Sequence, residues 1–173
     1  MTDEELKSLV ASLAVSQAKT DAQLAKTDKK IDQLAKMIGT FGRNLGEITE
    51  EFFFNSLKAT QTLAGIHYDI VYKNMTASVN KIQDEFDIVM VNGKDVAVIE
   101  VKYKAHLADL EKLLNKKYTN FKKLFPMYKD YNHHLVLASF SLHDDLIQEA
   151  LAQGVTVLQR KGDVIETFEP KAA

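Results

Sequence analysis

The stretch EFDIVMVNGKDVAVIEVKYK, residues 85–104, decides how the rest of the chain is read. FDIVMV (86–91) and DVAVIEVKY (95–103) are two apolar, β-branched runs, and the Asn92-Gly93 between them is a strong hairpin signal. The second run does not end in a turn. It continues into Glu100, Lys102 and Lys104, and residues two apart on a strand share a face. A turn centred near residue 93 places Asp87 opposite positions 99 to 101, so Asp87 and Glu100 meet at one end of the hairpin. Two carboxylates held close repel unless one is protonated or a cation lies between them. A hard divalent cation such as Mg²⁺ suits an all-oxygen site of a few carboxylates, water and a substrate phosphate. Lys102 is placed to orient or deprotonate a water, or to offset charge on a phosphate.

Asp/Glu-x-Lys is a short pattern that occurs four times, at Glu5-Lys7, Asp28-Lys30, Glu100-Lys102 and Glu169-Lys171. Only Glu100-Lys102 lies in an apolar strand, where a charge must be paired or liganded. Taken alone, the pair reads as a salt bridge at a strand end; Asp87 at the matching distance turns it into a site.

Outward from the hairpin, the periodicity gives the remaining elements. A helix is expected over about 44–60, a strand over 66–73 and a loop over 80–85. A long helix follows at about 106–125, ending near Pro126, then a strand at 134–138 and a helix at 142–153 closed by Gly154. Two short strands complete the chain at 155–159 and 163–168. This order predicts a mixed α/β layer fold and not a regular βαβ series.

Residues 6–38 form a separate unit. Leu6, Val10, Leu13, Gln17, Thr20, Leu24, Thr27, Ile31, Leu34 and Ile38 alternate at spacings of four and three, a heptad seam. Val10, Leu24, Ile31 and Ile38 at a positions and Leu6, Leu13 and Leu34 at d positions favour a two-stranded coil, so a homodimer through residues 6–38 is expected. Gly39 and Gly42 read as the end of that helix. The domains are then 1–40, a coiled-coil helix, and 41–173, the α/β domain.

Bulk properties narrow the function. The 173 residues carry 22 basic and 24 acidic side chains, and there is no cysteine, which excludes thiol nucleophiles, disulfides and cysteine zinc sites. That composition fits a reducing cytoplasm. No apolar run reaches membrane-spanning length, and the first residues lack the pattern of a signal peptide. Charge is unevenly distributed. Residues 102–130 hold eight lysines against three acidic residues, whereas 41–101 hold five basic and nine acidic ones. Read alone, a lysine run is a solvated helix face. Lys112, Lys116 and Lys123 nevertheless fall on one helix face, and with Lys104 they are the candidate phosphate contacts. His133 and His134 have no further metal ligand at usable spacing.

The stretch 85–104 resembles the core of the PD-(D/E)xK, or restriction-endonuclease-like, nuclease superfamily, in which an aspartate on one strand precedes a Glu-x-Lys on the next. LGEITEEFFFNSL (45–57) resembles that superfamily's first core helix, and LVLASFSLHDDLIQEALAQGVTVL (135–158) its later strand, helix and strand. The likeness covers about residues 42–168. Phe86 stands where the motif's proline is usual. The resemblance implies a restriction-endonuclease-like mixed sheet flanked by helices, and DNA phosphodiester hydrolysis with Mg²⁺ or Mn²⁺. By motif position Asp87 and Glu100 are metal ligands and Lys102 is catalytic. The first helix supplies an auxiliary ligand from Glu47, Glu50 or Glu51, with Glu50 favoured by its spacing from Gly46. A second expectation, from a different class, is a nucleic-acid or protein binding module on the same fold with little turnover. Retention of Asp87, Glu100 and Lys102 together favours the nuclease.

Overall fold

The computed structural model describes residues 2–171. The chain divides into two compact units between Asn44 and Leu45. A single helix, α1 (Asp3–Thr60), contributes to both. It does not stop at Gly39 or Gly42, as the sequence suggested, nor does a second helix begin near residue 44. Two isolated glycines each cost about 1 kcal/mol relative to alanine in a helix. No proline breaks the hydrogen-bond ladder here, and strong helix formers flank them. In the first unit the seam residues Leu6, Val10, Leu13, Leu24, Ile31, Leu34 and Ile38 are all exposed.

The second unit is built on a six-stranded mixed sheet in the order β3-β4-β5-β6-β7-β8. Its strands are β3 (Ile70–Val79), β4 (Ile82–Val91), β5 (Asp95–Lys104), β6 (Asn132–Ser141), β7 (Thr156–Lys161) and β8 (Val164–Phe168). β3, β4 and β5 form an antiparallel meander, β5, β6 and β7 are parallel, and β8 returns antiparallel to β7. β1 (Thr62–Leu63) and β2 (Ile66–His67) make a separate small hairpin. The segment 80–85 is not the loop that its polarity suggested. β3 and β4 continue to Val79↔Ile82, and Asn80 and Lys81 close the hairpin with φ of 48° and 67°. Positive φ at both central residues is the geometry a two-residue hairpin turn needs, and asparagine tolerates it well.

One sheet face carries Ile88, Met90, Ala97, Ile99, Val101, Val136 and Ala138, packed against Phe53 and Leu57 of α1. The other is covered by α2 (Leu107–Lys112), a π-helical turn (Leu113–Lys117), α3 (Tyr118–Leu124) and α4 (Asp144–Ala152). The expected helix over 106–125 is therefore present, with one wide turn inside it. Phe86 packs edge-on against Phe121 and Phe125, which fixes α3 over the β4–β5 hairpin. Buried apolar faces on both sides of the central strands explain why β4 and β5 read as nearly continuous hydrophobic runs.

Candidate active site

The register of the central hairpin positions the site. β4 and β5 pair from Val91↔Val96 to Ile88↔Ile99, which puts Asp87 level with Glu100 at the next step. There the backbone ladder gives way to a side chain, as the Val101 N–H donates to Asp87 Oδ2 at 2.7 Å. On the other side of β4 the pairing runs through Lys73↔Ile88 and Met75↔Phe86, flanking Asn74 with φ of 51°. Asp87 thus sits between two departures from regular strand geometry. Irregular pairing of this kind re-aims a side chain.

Glu100 is only 3% exposed, and both its oxygens face ammonium groups. Lys102 Nζ lies 2.8 Å from Oε1, and Lys117 Nζ lies 3.7 Å from Oε2. Lys117 is itself buried, 3.0 Å from Asp84 Oδ1, and donates to the carbonyl oxygen of Glu85. Asn120 Nδ2 holds the other oxygen of Asp84 at 2.7 Å. On α1, Glu50 is half-buried whereas Glu47 and Glu51 are exposed, and the charges of Lys73, Glu85, Lys102 and Glu100 all act on Glu50. Of the three candidate glutamates on α1, Glu50 is therefore the one that shares the electrostatic field of the site.

The site is electrostatically tense. Burial, and then the charge of Glu100, push the Asp87 carboxyl up to about 7. Burial also raises Glu50 above the ordinary carboxylate range. Burial opposes the charge on Lys102, but the hydrogen bond and charge of Glu100 outweigh it and raise the ammonium's pKa. At Asp84 burial is likewise outweighed, here by hydrogen bonds from Asn120 and Lys117, and its pKa is lowered. The interacting groups comprise six carboxylates (Glu50, Asp84, Glu85, Asp87, Glu100, Asp109) and three ammonium groups (Lys73, Lys102, Lys117). With all ionised, three negative charges remain uncompensated.

That surplus and the all-oxygen donor set fit a hard divalent cation. Among the described residues, no three histidine, aspartate or glutamate side chains come together closely enough to hold a metal ion by themselves. Asp87 and Glu100 are thus a two-carboxylate pair. Mg²⁺ is commonly held by one or two carboxylates, with water and substrate phosphate completing its shell.

Lys104, Lys112, Lys116 and Lys123 are exposed, and none has an ion-pair partner among the described residues. The histidines of β6 serve the opposite end of the hairpin. His134 Nε2 lies 2.9 Å from Asp95 Oδ1, and His133 Nε2 lies 2.7 Å from the Tyr128 carbonyl.

Lys117 and Asp84 escaped the sequence reading, although a signal for Lys117 exists. Leu110, Leu113, Lys117, Phe121 and Leu124 are the buried positions of this helical segment, spaced three, four, four and three apart. A lysine standing in an otherwise apolar stripe has to meet a buried acceptor.

No protein-family model matches this chain, and neither the curated proteins nor the solved structures compared with it gave a match.

Proposed function

We propose that this chain is a divalent-cation-dependent nuclease that hydrolyses DNA phosphodiester bonds and acts as a dimer through residues 6–38. The observation that carries the reading is the placement of Asp87 beside the buried Glu100, one step beyond the last β4–β5 pair, with Lys102 Nζ 2.8 Å from Glu100. Asp87 and Glu100 would hold the cation, and Glu50, too far to complete a three-carboxylate group with them, would act from α1 as an auxiliary ligand through water. A bound Mg²⁺ or Mn²⁺ polarises the phosphoryl oxygen and lowers the pKa of an attacking water. Lys102, about a third exposed, reaches from the site toward solvent, where its ammonium meets the water or the phosphate. Lys104, Lys112, Lys116 and Lys123 supply the exposed positive charge that a phosphate backbone requires.

The exposed seam in the first unit supports self-association, because a helix bearing seven exposed large apolar residues at heptad spacing needs a partner. Pairing two such domains brings one site to each strand of a duplex. Among the described residues no helix is long and apolar enough to cross a membrane. The proposed setting is the cytoplasm, in keeping with the cysteine-free chain.

One observation favours a second reading, a binding module with little turnover: lysines already face both oxygens of Glu100. Cleavage of duplex, nicked, branched and single-stranded DNA, with Mg²⁺, with Mn²⁺ and with chelator, decides between the two. Metal-dependent product from any form supports the nuclease. DNA binding without product supports the module.

A further inference from the structure

The two lysines on Glu100 differ in freedom. Lys102 has 31% of its side chain exposed and one acidic partner within ion-pair distance. Lys117 has 9% exposed; it donates to the Glu85 carbonyl, lies 3.0 Å from Asp84 Oδ1, and stands at ion-pair distance, 3.7 Å, from Glu100 Oε2. Its ring of contacts is closed by Phe86, whose centroid lies 5.4 Å from the ammonium. The wide π-helical turn Leu113–Lys117 ends on this residue, and such turns are frequent at functional sites.

We propose that Lys117 is a positioning residue of the Asp87–Glu100 site. It fixes Glu100 through Oε2, so that Oε1 exchanges Lys102 for an entering divalent cation. The inference rests on the reading that Asp87 and Glu100 hold such a cation. Lys102 can swing toward solvent and Lys117 cannot, so the cation displaces the former. The exchange also frees the Lys102 ammonium for water or phosphate at the moment the cation arrives, joining cation entry to the readiness of the catalytic group. Lys117 meanwhile repels the cation, as any ammonium this close would, so its positioning role shows in kcat while its charge shows in metal affinity.

That opposition gives the test. Mn²⁺ affinity is measured by calorimetry on the full chain and on Lys117→Met, a neutral side chain of similar length, together with kcat and KM on a cleaved DNA. Removing a positive charge this close strengthens Mn²⁺ binding by roughly tenfold. Loss of alignment lowers kcat at least about tenfold with KM nearly unchanged. Tighter metal with slower chemistry is the expected result. Affinity and kcat both unchanged, or both falling along with the melting temperature, overturn the inference. If Lys117→Met does not fold, Asp84→Asn decides. It loosens the anchor of Lys117 and should slow cleavage severalfold with KM nearly unchanged, whereas a kcat equal to the parent's overturns the inference. A parent chain that binds no Mn²⁺ ends the nuclease reading along with it. A parent that binds beside an indistinguishable Lys117→Met ends only the role given to Lys117.

Discussion

The backbone N–H of Val101 donates to Asp87 Oδ2 at 2.7 Å, at the step where β4 and β5 stop pairing through their own backbones. A carboxylate on one strand takes over the duty of a carbonyl, and in doing so it is held beside Glu100. The bond favours the ionised form of Asp87, but burial and the neighbouring charge outweigh it and leave the group near 7.

Stability therefore depends on pH through Asp87. Its native pKa stands above the ordinary aspartate value of 3.8, so between about pH 4 and 7 the native state keeps a proton that the unfolded chain has released. The contribution of that proton is fully present below about pH 4 and is lost as pH rises through about 7. Asp87→Asn keeps an acceptor for Val101 and removes the titration. Its melting temperature should fall less than the parent's between pH 4 and 7, and should equal or exceed the parent's at pH 8 without metal. Parallel thermal curves for the two proteins across that range would contradict the assignment.

Glu100 and Lys102 should fail differently. Glu100→Gln removes a charge that the cation needs, so Mn²⁺ binding and cleavage should disappear together. Lys102→Ala leaves both carboxylates in place and removes the ammonium 2.8 Å from Glu100, so Mn²⁺ should still bind while kcat falls by about a hundredfold or more. Calorimetry beside single-turnover cleavage separates the two. Intact metal binding and cleavage in Glu100→Gln would reduce the pair to a salt bridge.

The exposed lysines make a claim about salt. With Lys112, Lys116 and Lys123 replaced by glutamine, DNA affinity should weaken at low salt, with a shallower dependence on salt concentration. Each lost phosphate contact takes about 0.9 from the logarithmic slope. Fluorescence anisotropy from 50 to 300 mM salt measures it, and an unchanged slope returns this face to solvent.

Leu24→Glu combined with Ile31→Glu puts charge at two exposed seam positions of α1. Sedimentation should show the parent as a dimer and the double variant as a monomer, while the melting of the α/β unit moves little. A parent that sediments as a monomer removes the coiled-coil argument.

The central hairpin was legible because its two strands are buried on both faces and joined by Asn-Gly, and that register alone was enough to bring Asp87 to Glu100. Asn80-Lys81 is not, because the alternation of Met75, Ala77 and Ile82 with exposed residues is carried by few, half-buried side chains, and Asp84 continues it as a charge. The glycines of α1 misled for a different reason: they carry a propensity, and an uninterrupted hydrogen-bond ladder overrode it. Lys117 is hidden among neighbours, since it is one of a run of lysines with Lys112, Lys116, Lys122 and Lys123, and only the apolar spacing on either side of it sets it apart.

The π-helical turn at Leu113–Lys117 means that this segment carries a residue more than an α-helix would use to cover the same rise. A surplus residue is a removable one. Deleting Asn115, which is exposed, should let the hydrogen-bond ladder run unbroken with Phe121 and Leu124 still seated on the sheet. Such a protein should still fold, at a cost from Asp84 and the buried Glu100, which lose their partner, and Lys117 would have lost the wide turn that delivers it to Glu100. Segment length here is an adjustable spacer between folding and chemistry, and a one-residue deletion detaches the second while the first survives.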